Sequence, residues 1–582
     1  MRARPADIVF VALALVGGAV LLFLGRSLTF WHDEWRSITF DGGPIDYLRP
    51  VNEHWSTFHL VLYRATFRIV GLRSYIPYLA ELVVLHLLAV AGAYALMRAR
   101  VGPLVATLVA APLLFLGSGA ENLFWGFQTG FVGSVMFGVW ALFFIERPSE
   151  RSPAYASLLL FASLTASGIG LFFLVVAAGR TLSDSSLRRR AFAVLPPAAA
   201  YLVWFGLFGR DGVDSGGPVE VDLSVARFAV RGIVHSTQRV VGLDHLPDSH
   251  LWGLLLFLGL STVTVYRIVR GRPPTLAVGC LLGTVAMYTG IAFVRVSADP
   301  GYDHATSSRF VYVAAFLLVL AMVDLLPARS SWSARGRGRA AVAAALAVCL
   351  LVAIVANLVA LFDKRSEFQR TTDATRAFVA LALARGNEPW VDRDAPRGWM
   401  PPISQLVRTI ERNGSPLRDE LFPGVVRAPS RAVEESALLV MIGDGFRVED
   451  VSSHRTFAAV EVAVRRGSSV AESGQCVRAR FGYDEAVWTR DLPAEAHVRL
   501  ASTSDLAVRI FLAHEGGPGR KLDADLPAGA PKDVVLPDVG DGRPWTLVVD
   551  APTSTGAVML CVLVAGGERS LRAPTVAVRR WE

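Results

Sequence analysis

Four short stretches of this sequence carry side chains that could do chemistry. The first, "LTFWHDEWRSITF" (28–40), sets His32, Asp33 and Glu34 between Trp31 and Trp35, with Arg36 following. The second, "VNEHWSTFH" (51–59), carries Asn52, Glu53, His54 and His59. The third, "GSGAENLFWGFQTG" (117–130), holds Glu121, Asn122, Trp125 and Gln128. The fourth, "DPGYDHATSSRF" (299–310), supplies Asp299, Asp303, His304 and Arg309. A carboxylate within reach of a hydroxyl can remove its proton. A guanidinium can grip phosphate oxygens with a two-pronged fork. Aromatic faces such as Trp31 and Trp35 can stack on sugar rings or anchor a membrane interface. Taken singly, each stretch also reads as polar loop surface, and Arg309 as an anchor whose stem lies in apolar surroundings.

The elements that must position these residues are membrane helices. The chain has 582 residues, 53% of them apolar, and a mean hydropathy of +0.43. Runs of about 20 apolar residues span a bilayer, and they are expected near 7–26, 76–97, 103–119, 123–145, 191–209, 249–268, 275–297, 309–327 and 339–362. The N-terminal run lacks a small-residue cleavage site and is expected to stay as a first span. The net charge is +8, and almost all of the positive charge is arginine. The arginines read as topology determinants rather than a nucleic-acid surface. Arg98, Arg100, Arg147, Arg151, Arg188, Arg189 and Arg190 fall in such loops, as do the clusters around Arg270 and Arg335. All of these loops can be cytoplasmic only if 153–179 crosses twice. "SLTASGIGLFF" offers the break, at Gly168 and Gly170. Each arm would be roughly 20 Å of helix, short of the roughly 30 Å core. A short hairpin with its turn at a cavity is therefore predicted. About eleven crossings follow, with the N-terminus inside and 27–75, 210–248, 298–308 and 363–582 outside. Within span two, Glu81 and His86 are expected to face the bundle, as a buried hydrogen bond or a functional pair.

Past residue 362, "DKRSEFQRTTDATRAFVALALARG" suits an amphipathic helix, followed by a Pro- and Arg-rich connector. From about 435, β-type runs such as "LAVRIFLA" and "AVMLCVLVAG" are separated by turn residues. They predict a β-sandwich. The fold class is thus a polytopic α-helical membrane protein with a C-terminal extracytoplasmic β-sandwich. Its expected segments are 1–362, 363–434 and 435–582. Cys280 and Cys349 lie in apolar spans, whereas Cys476 and Cys561 lie in strand-like runs outside the cell, where a disulfide can persist. A Cys476–Cys561 bridge is expected, the alternative being two buried thiols. No metal-binding cysteine spacing, phosphate loop or dinucleotide fingerprint occurs.

The acidic pair of "HDEW" just after the first span, and Arg309–Phe310 at the outer start of a later one, resemble the GT-C superfamily. Its members are integral-membrane glycosyltransferases that use polyprenyl-phosphate sugars. The resemblance covers roughly residues 1–362, and the β-domain resembles the carbohydrate-binding modules of actinobacterial arabinofuranosyltransferases. It implies inverting transfer from a polyprenyl-phosphate donor to a cell-envelope glycan or glycolipid, at the outer face of the cytoplasmic membrane among its lipids. Asp33 would be the base. Glu34 would orient it, bind acceptor or ligate a metal, and adjacency leaves their order open. Arg309 and His304 would stabilise the leaving phosphate, and Glu53 and His54 would complete an acceptor or metal site. Trp31, Trp35, Glu121 and Gln128 are further candidates for substrate contact. Metal dependence varies in the superfamily, so Mg or Mn stays open, with Glu34 and His54 as candidate ligands. The turn at 167–170 lacks the lysine that some relatives carry there. A transporter or flippase would favour ionisable residues near mid-membrane and matched halves, and a non-catalytic glycan-binding scaffold would make Asp33 dispensable.

Overall fold

The computed structural model describes most of residues 5–420 and the strands of the C-terminal region. Residues 1–4, 185–187, 213–222, 244–247, 296–303, 327–336, 388–390, 392, 395–399 and most of 421–446, with several loops between strands, lie outside the described residues. Asp299 and Asp303 are among these. The chain divides into two compact units, Met1–Gln369 with Glu420–Val425, and Arg370–Asp419 with Val426–Glu582. The segment 370–419, expected as part of the amphipathic helix and connector, thus goes with the β-rich unit.

The first unit is helical. Its helices are α1 (Pro5–Gly25), α2 (Glu34–Ile38), α3 (Thr57–Val70), α4 (Ile76–Val101), α5 (Pro103–Leu114), α6 (Glu121–Phe124) and α7 (Thr129–Glu146). They continue with α8 (Ser152–Ala166), α9 (Gly170–Leu182), α10 (Leu195–Leu207), α11 (Leu223–Val240), α12 (Ser249–Val269), α13 (Thr275–Arg295), α14 (Ser308–Leu325) and α15 (Arg337–Arg385), which runs on past residue 369. Seven described helices are long and apolar enough to cross a membrane, and α5, α8 and α9 are shorter apolar helices. Leu15, Leu158 and Leu202 are 66%, 65% and 70% exposed, which suits lipid rather than water as their neighbour.

Ion pairs gather one set of helix ends. Arg100 of α4 pairs with Asp324 of α14 at 3.0 Å and with Glu146 of α7. Arg180 of α9 joins Glu146 and Asp184, each at 3.0 Å. Asp324 also accepts the first N–H groups of α13, Leu276 and Ala277, at 3.0 Å, where the helix dipole favours an anion. The end of α7 and the end of α9 therefore lie together, and 152–182 goes out and returns as a hairpin. A Cβ on Gly170 would approach the backbone nitrogen of Leu164 to 2.6 Å, so the tight turn needs glycine there.

Two elements differ from the expectations. The span expected from 123 begins at Thr129, because 117–128 folds as a string of short turns including α6. The expected loop 210–248 contains α11, whose apolar face packs on α13 and α14.

The second unit contains α16 (Ile403–Asn413), whose Ile403, Leu406 and Ile410 are buried on one face. Its strands are β1 (Arg447–Asp450), β2 (Thr456–Ala458), β3 (Glu461–Val464), β4 (Ser469–Ser473), β5 (Cys476–Phe481), β6 (Ala486–Leu492) and β7 (His497–Ser502). They continue as β8 (Leu506–Ala513), β9 (Arg520–Leu526), β10 (Lys532–Val535), β11 (Trp545–Asp550), β12 (Gly556–Val564) and β13 (Ala577–Arg580). One sheet has the order β1-β10-β7-β12-β5-β4, with β2 also on β12, and the other β13-β3-β6-β11-β8-β9. Alternate residues such as Val498, Leu500, Ile510, Leu512, Leu547 and Val549 are buried, the period-two pattern of a sandwich core. Cys561 is disulfide-bonded, whereas Cys280 and Cys349 are free. The side chain of Cys476 lies outside the described set. The β5–β12 ladder pairs Val477 with Leu560, so its next step brings residues 476 and 561 together. Non-reducing peptide mapping is expected to recover a Cys476–Cys561 crosslink and no crosslinked Cys280.

Candidate active site

At the bundle end opposite the ion pairs, the turn after α1 separates Asp33 from Glu34. His32 has φ 51°, a left-handed conformation uncommon for a non-glycine residue. Glu34 is 0% exposed. Its carboxyl group accepts the Trp31 N–H at 3.0 Å, the Tyr63 hydroxyl at 3.0 Å and the Tyr75 hydroxyl at 3.5 Å. Burial pushes its pKa up to about 8, outweighing the opposite pull of those donors. Tyr75 in turn accepts the Gly126 N–H at 2.7 Å. A Cβ on Gly126 would stand 2.7 Å from Glu34 Oε1, so the cage closes only around glycine. Asp33 is half-buried, and its carboxylate makes no hydrogen bond or ion pair with a described residue.

The second stretch forms a tight turn in which Val51 and His54 exchange backbone hydrogen bonds at 3.0 and 3.2 Å. Glu53 pairs with Arg295 at the end of α13 and lies 3.9 Å from His54 Nε2. Burial opposes the Glu53 charge, but His54 and Arg295 outweigh it and hold its pKa below the usual range. Burial pushes the His54 imidazole down. Glu53 pulls it up, while Arg295 and Arg309 add to the fall, and the net is a lowered pKa. The hairpin turn reaches this imidazole: a Cβ on Gly168 would stand 2.7 Å from His54 Nδ1.

The third and fourth stretches clasp each other. The Asn122 side-chain amide donates to the Arg309 carbonyl at 2.9 Å, and Ser308 Oγ accepts the Glu121 N–H at 3.1 Å. The Arg309 guanidinium lies 3.6 Å from Glu121 and 5.5 Å from the Phe310 ring centre. Its charge reaches both His32 and His54. Burial is the main cause of the lowered His32 pKa, with Asp33 opposing and Arg309 adding. Arg309 is thus within electrostatic reach of both the Asp33 turn and His54. Trp31 stacks on Trp125 at 4.5 Å and meets the Phe368 edge at 5.2 Å, forming an aromatic wall beside them. His304 is half-buried in the turn His304–Thr306 that leads into α14.

Three expectations need correction. Trp35 and Gln128 are each 1% exposed; both point into the core, which removes them as substrate contacts. Glu34 does not suit a metal. The Glu34 carboxyl group is closed in its cage, whereas His54 has the Glu53 carboxylate beside it and two guanidinium charges beyond. Among the described residues no three His, Cys, Asp or Glu side chains converge. Arg295, Tyr63, Tyr75 and Gly126 were not singled out from the sequence. Arg295 sits in the apolar run "GIAFVRV" and reads there as a membrane anchor. A relay fixes the supporting helices: Ser37 Oγ lies 3.3 Å from His59 Nε2, and His59 Nδ1 lies 2.6 Å from Thr129 Oγ1. Burial pushes the His59 pKa down to about 3, so this imidazole stays neutral.

No family model matches the sequence, and no curated protein does. Among solved structures, the chain is similar to the archaeal oligosaccharyltransferase AglB of Archaeoglobus fulgidus in complex with an inhibitory peptide and a dolichol-phosphate. Identity is 13% over 74% of this chain and 63% of that chain, with a TM-score of 0.40. An A. fulgidus oligosaccharyltransferase tethered to an acceptor peptide gives 11% identity over 98% of this chain and 99% of that one, with a TM-score of 0.40. The arabinofuranosyltransferase AftD from mycobacteria gives 11% identity and a TM-score of 0.35, over 98% of this chain and 59% of that one. The chain therefore spans less than two thirds of the AglB and AftD chains.

Proposed function

We propose that this protein is an inverting membrane glycosyltransferase of the GT-C kind. It moves a sugar from a polyprenyl-phosphate donor to a hydroxyl of a cell-envelope glycan or glycolipid at the outer membrane face. The observation that carries this reading is the contrast within the acidic pair. Glu34 is sealed and engaged, while Asp33 is an open carboxylate in a space that the Arg309 charge also reaches. Asp33 takes the acceptor hydroxyl proton as the oxygen attacks the anomeric carbon. The bond from that carbon to the phosphate oxygen breaks on the opposite face, and the configuration inverts. The electron pair leaves with the lipid phosphate, whose gained charge Arg309 offsets in a partly desolvated setting. His54, beside Glu53, donates a hydrogen bond to the acceptor. Among the described residues Glu34 is sealed and no three candidate metal ligands converge, and no step is routed through a divalent cation.

The test follows the leaving group. Purified protein in lipid vesicles, given a polyprenyl-phosphate sugar and a glycan acceptor, is expected to release polyprenyl phosphate in step with glycan extension. Arg309→Lys keeps the charge but loses the fork. It is expected to lower transfer about tenfold to a hundredfold, by analogy with loss of one transition-state donor, with the thermal midpoint little changed. Wild-type turnover by both Arg309→Lys and Arg309→Ala would remove the phosphate role.

A further inference from the structure

The two faces of α11 differ. Val225, Ala229, Gly232, Ile233 and Ser236 are buried, and a Cβ on Gly232 would overlap the Tyr288 ring of α13. The other face carries Arg227, Val230 and Arg231. With His250, Leu251 and Leu254 of α12 it lines a groove of about 630 Å³. Arg227 and Arg231 are exposed and one helical turn apart. Val230 and Leu251 are 55% and 52% exposed. Helix α12 is of membrane-crossing length and composition, yet only 11% of its apolar window is buried, so lipid is its natural neighbour. Helix α11 also packs on the turn His304–Thr306, which places the groove toward the bundle end that carries Arg309. That is headgroup height, where arginine is tolerated and hydrocarbon depth is not.

We propose that the α11–α12 groove binds an anionic phospholipid, its phosphate held by Arg227 and Arg231 and its acyl chains lying on Val230, Leu251 and Leu254. Two guanidinium forks suit the oxygens of one phosphodiester. A zwitterionic lipid matches less well, because its own cation offsets the phosphate. The apolar side chains beside the arginines give the chains a surface that a free phosphate could not use. This site is separate from Asp33 and does not depend on the transfer reaction.

Native mass spectrometry of the full chain in detergent, with phosphatidylglycerol or phosphatidylcholine added, tests the proposal. The wild type is expected to retain phosphatidylglycerol in about tenfold excess or more, the order set by two basic residues beside an anionic lipid. Arg227→Gln/Arg231→Gln is expected to lose that excess, and Arg227→Lys/Arg231→Lys to recover most of it. Arg270→Gln, an exposed arginine beyond the far end of α12, is expected to keep it. Equal retention of both lipids by the wild type, unchanged retention by the Gln variant, or equal loss on Arg270→Gln would overturn the proposal. Polyprenyl phosphate displacing phosphatidylglycerol from the same two arginines would overturn it too, by making the groove a donor-lipid site.

Discussion

Asp33→Asn is expected to abolish most sugar transfer, lowering kcat by about a thousandfold within the range for loss of a general base. Glu34→Gln is expected to stay within roughly tenfold of wild type, an upper bound set by one altered neutral hydrogen bond. The two substitutions are chemically alike and one residue apart, so the contrast isolates position. The Asp33 carboxylate has no hydrogen-bond or ion-pair partner among the described residues. Asn therefore removes basicity without breaking a contact, and the thermal midpoint should hold. Initial rates in vesicles at saturating donor, with the midpoint measured on the same preparation, decide the matter. Rates that fall equally for both variants would assign the pair a shared role. Wild-type turnover by Asp33→Asn would end the catalytic reading and favour a glycan-binding role.

The contrast also shows where sequence reasoning stops. Helices α1, α4, α13 and α14 are legible because each is a long apolar run ended by charge. The hairpin was legible from arginine counting, since an even number of crossings was needed between Arg151 and the Arg188–Arg190 run. Helix α11 was not. Its apolar positions are interleaved with Arg227, Arg231, His235 and Arg239, which reads as a loop until α13 and α14 offer a surface to pack on. The split between Asp33 and Glu34 was equally hidden. Adjacent residues share composition and local context, and what separates them is Tyr63, Tyr75 and Gly126, all far away in sequence. Arg295 was hidden for a related reason: its partner Glu53 is 242 residues distant.

Stability should fall as pH rises from about 4.5 toward 8, and Glu34 should be a main cause. In the folded chain burial raises this acid from 4.5 to about 8, so the folded state keeps a proton that the unfolded chain gives up above about pH 4.5. More protons bound when folded means that stability decreases with pH across that window. The contribution is fully present below the unfolded pKa and is lost as pH rises through the folded one. At roughly 1.4 kcal/mol for each pH unit between the two values, the whole window is worth several kcal/mol. Glu34→Gln cannot ionise, so its thermal midpoint is expected to lose that part of the slope between pH 5.5 and 8.5. Glu34→Ala removes the acceptor for the Trp31 N–H and the Tyr63 and Tyr75 hydroxyls. It is expected to cost about 3 kcal/mol or more at every pH, from buried donors left unpaired, with reduced yield of folded protein. A wild-type midpoint that is flat across the window, or a Gln variant with the wild-type slope, would mean that the carboxyl group ionises without cost. The tyrosine cage would then be holding a charge, and Glu34 would again compete with Asp33 for the part of the base.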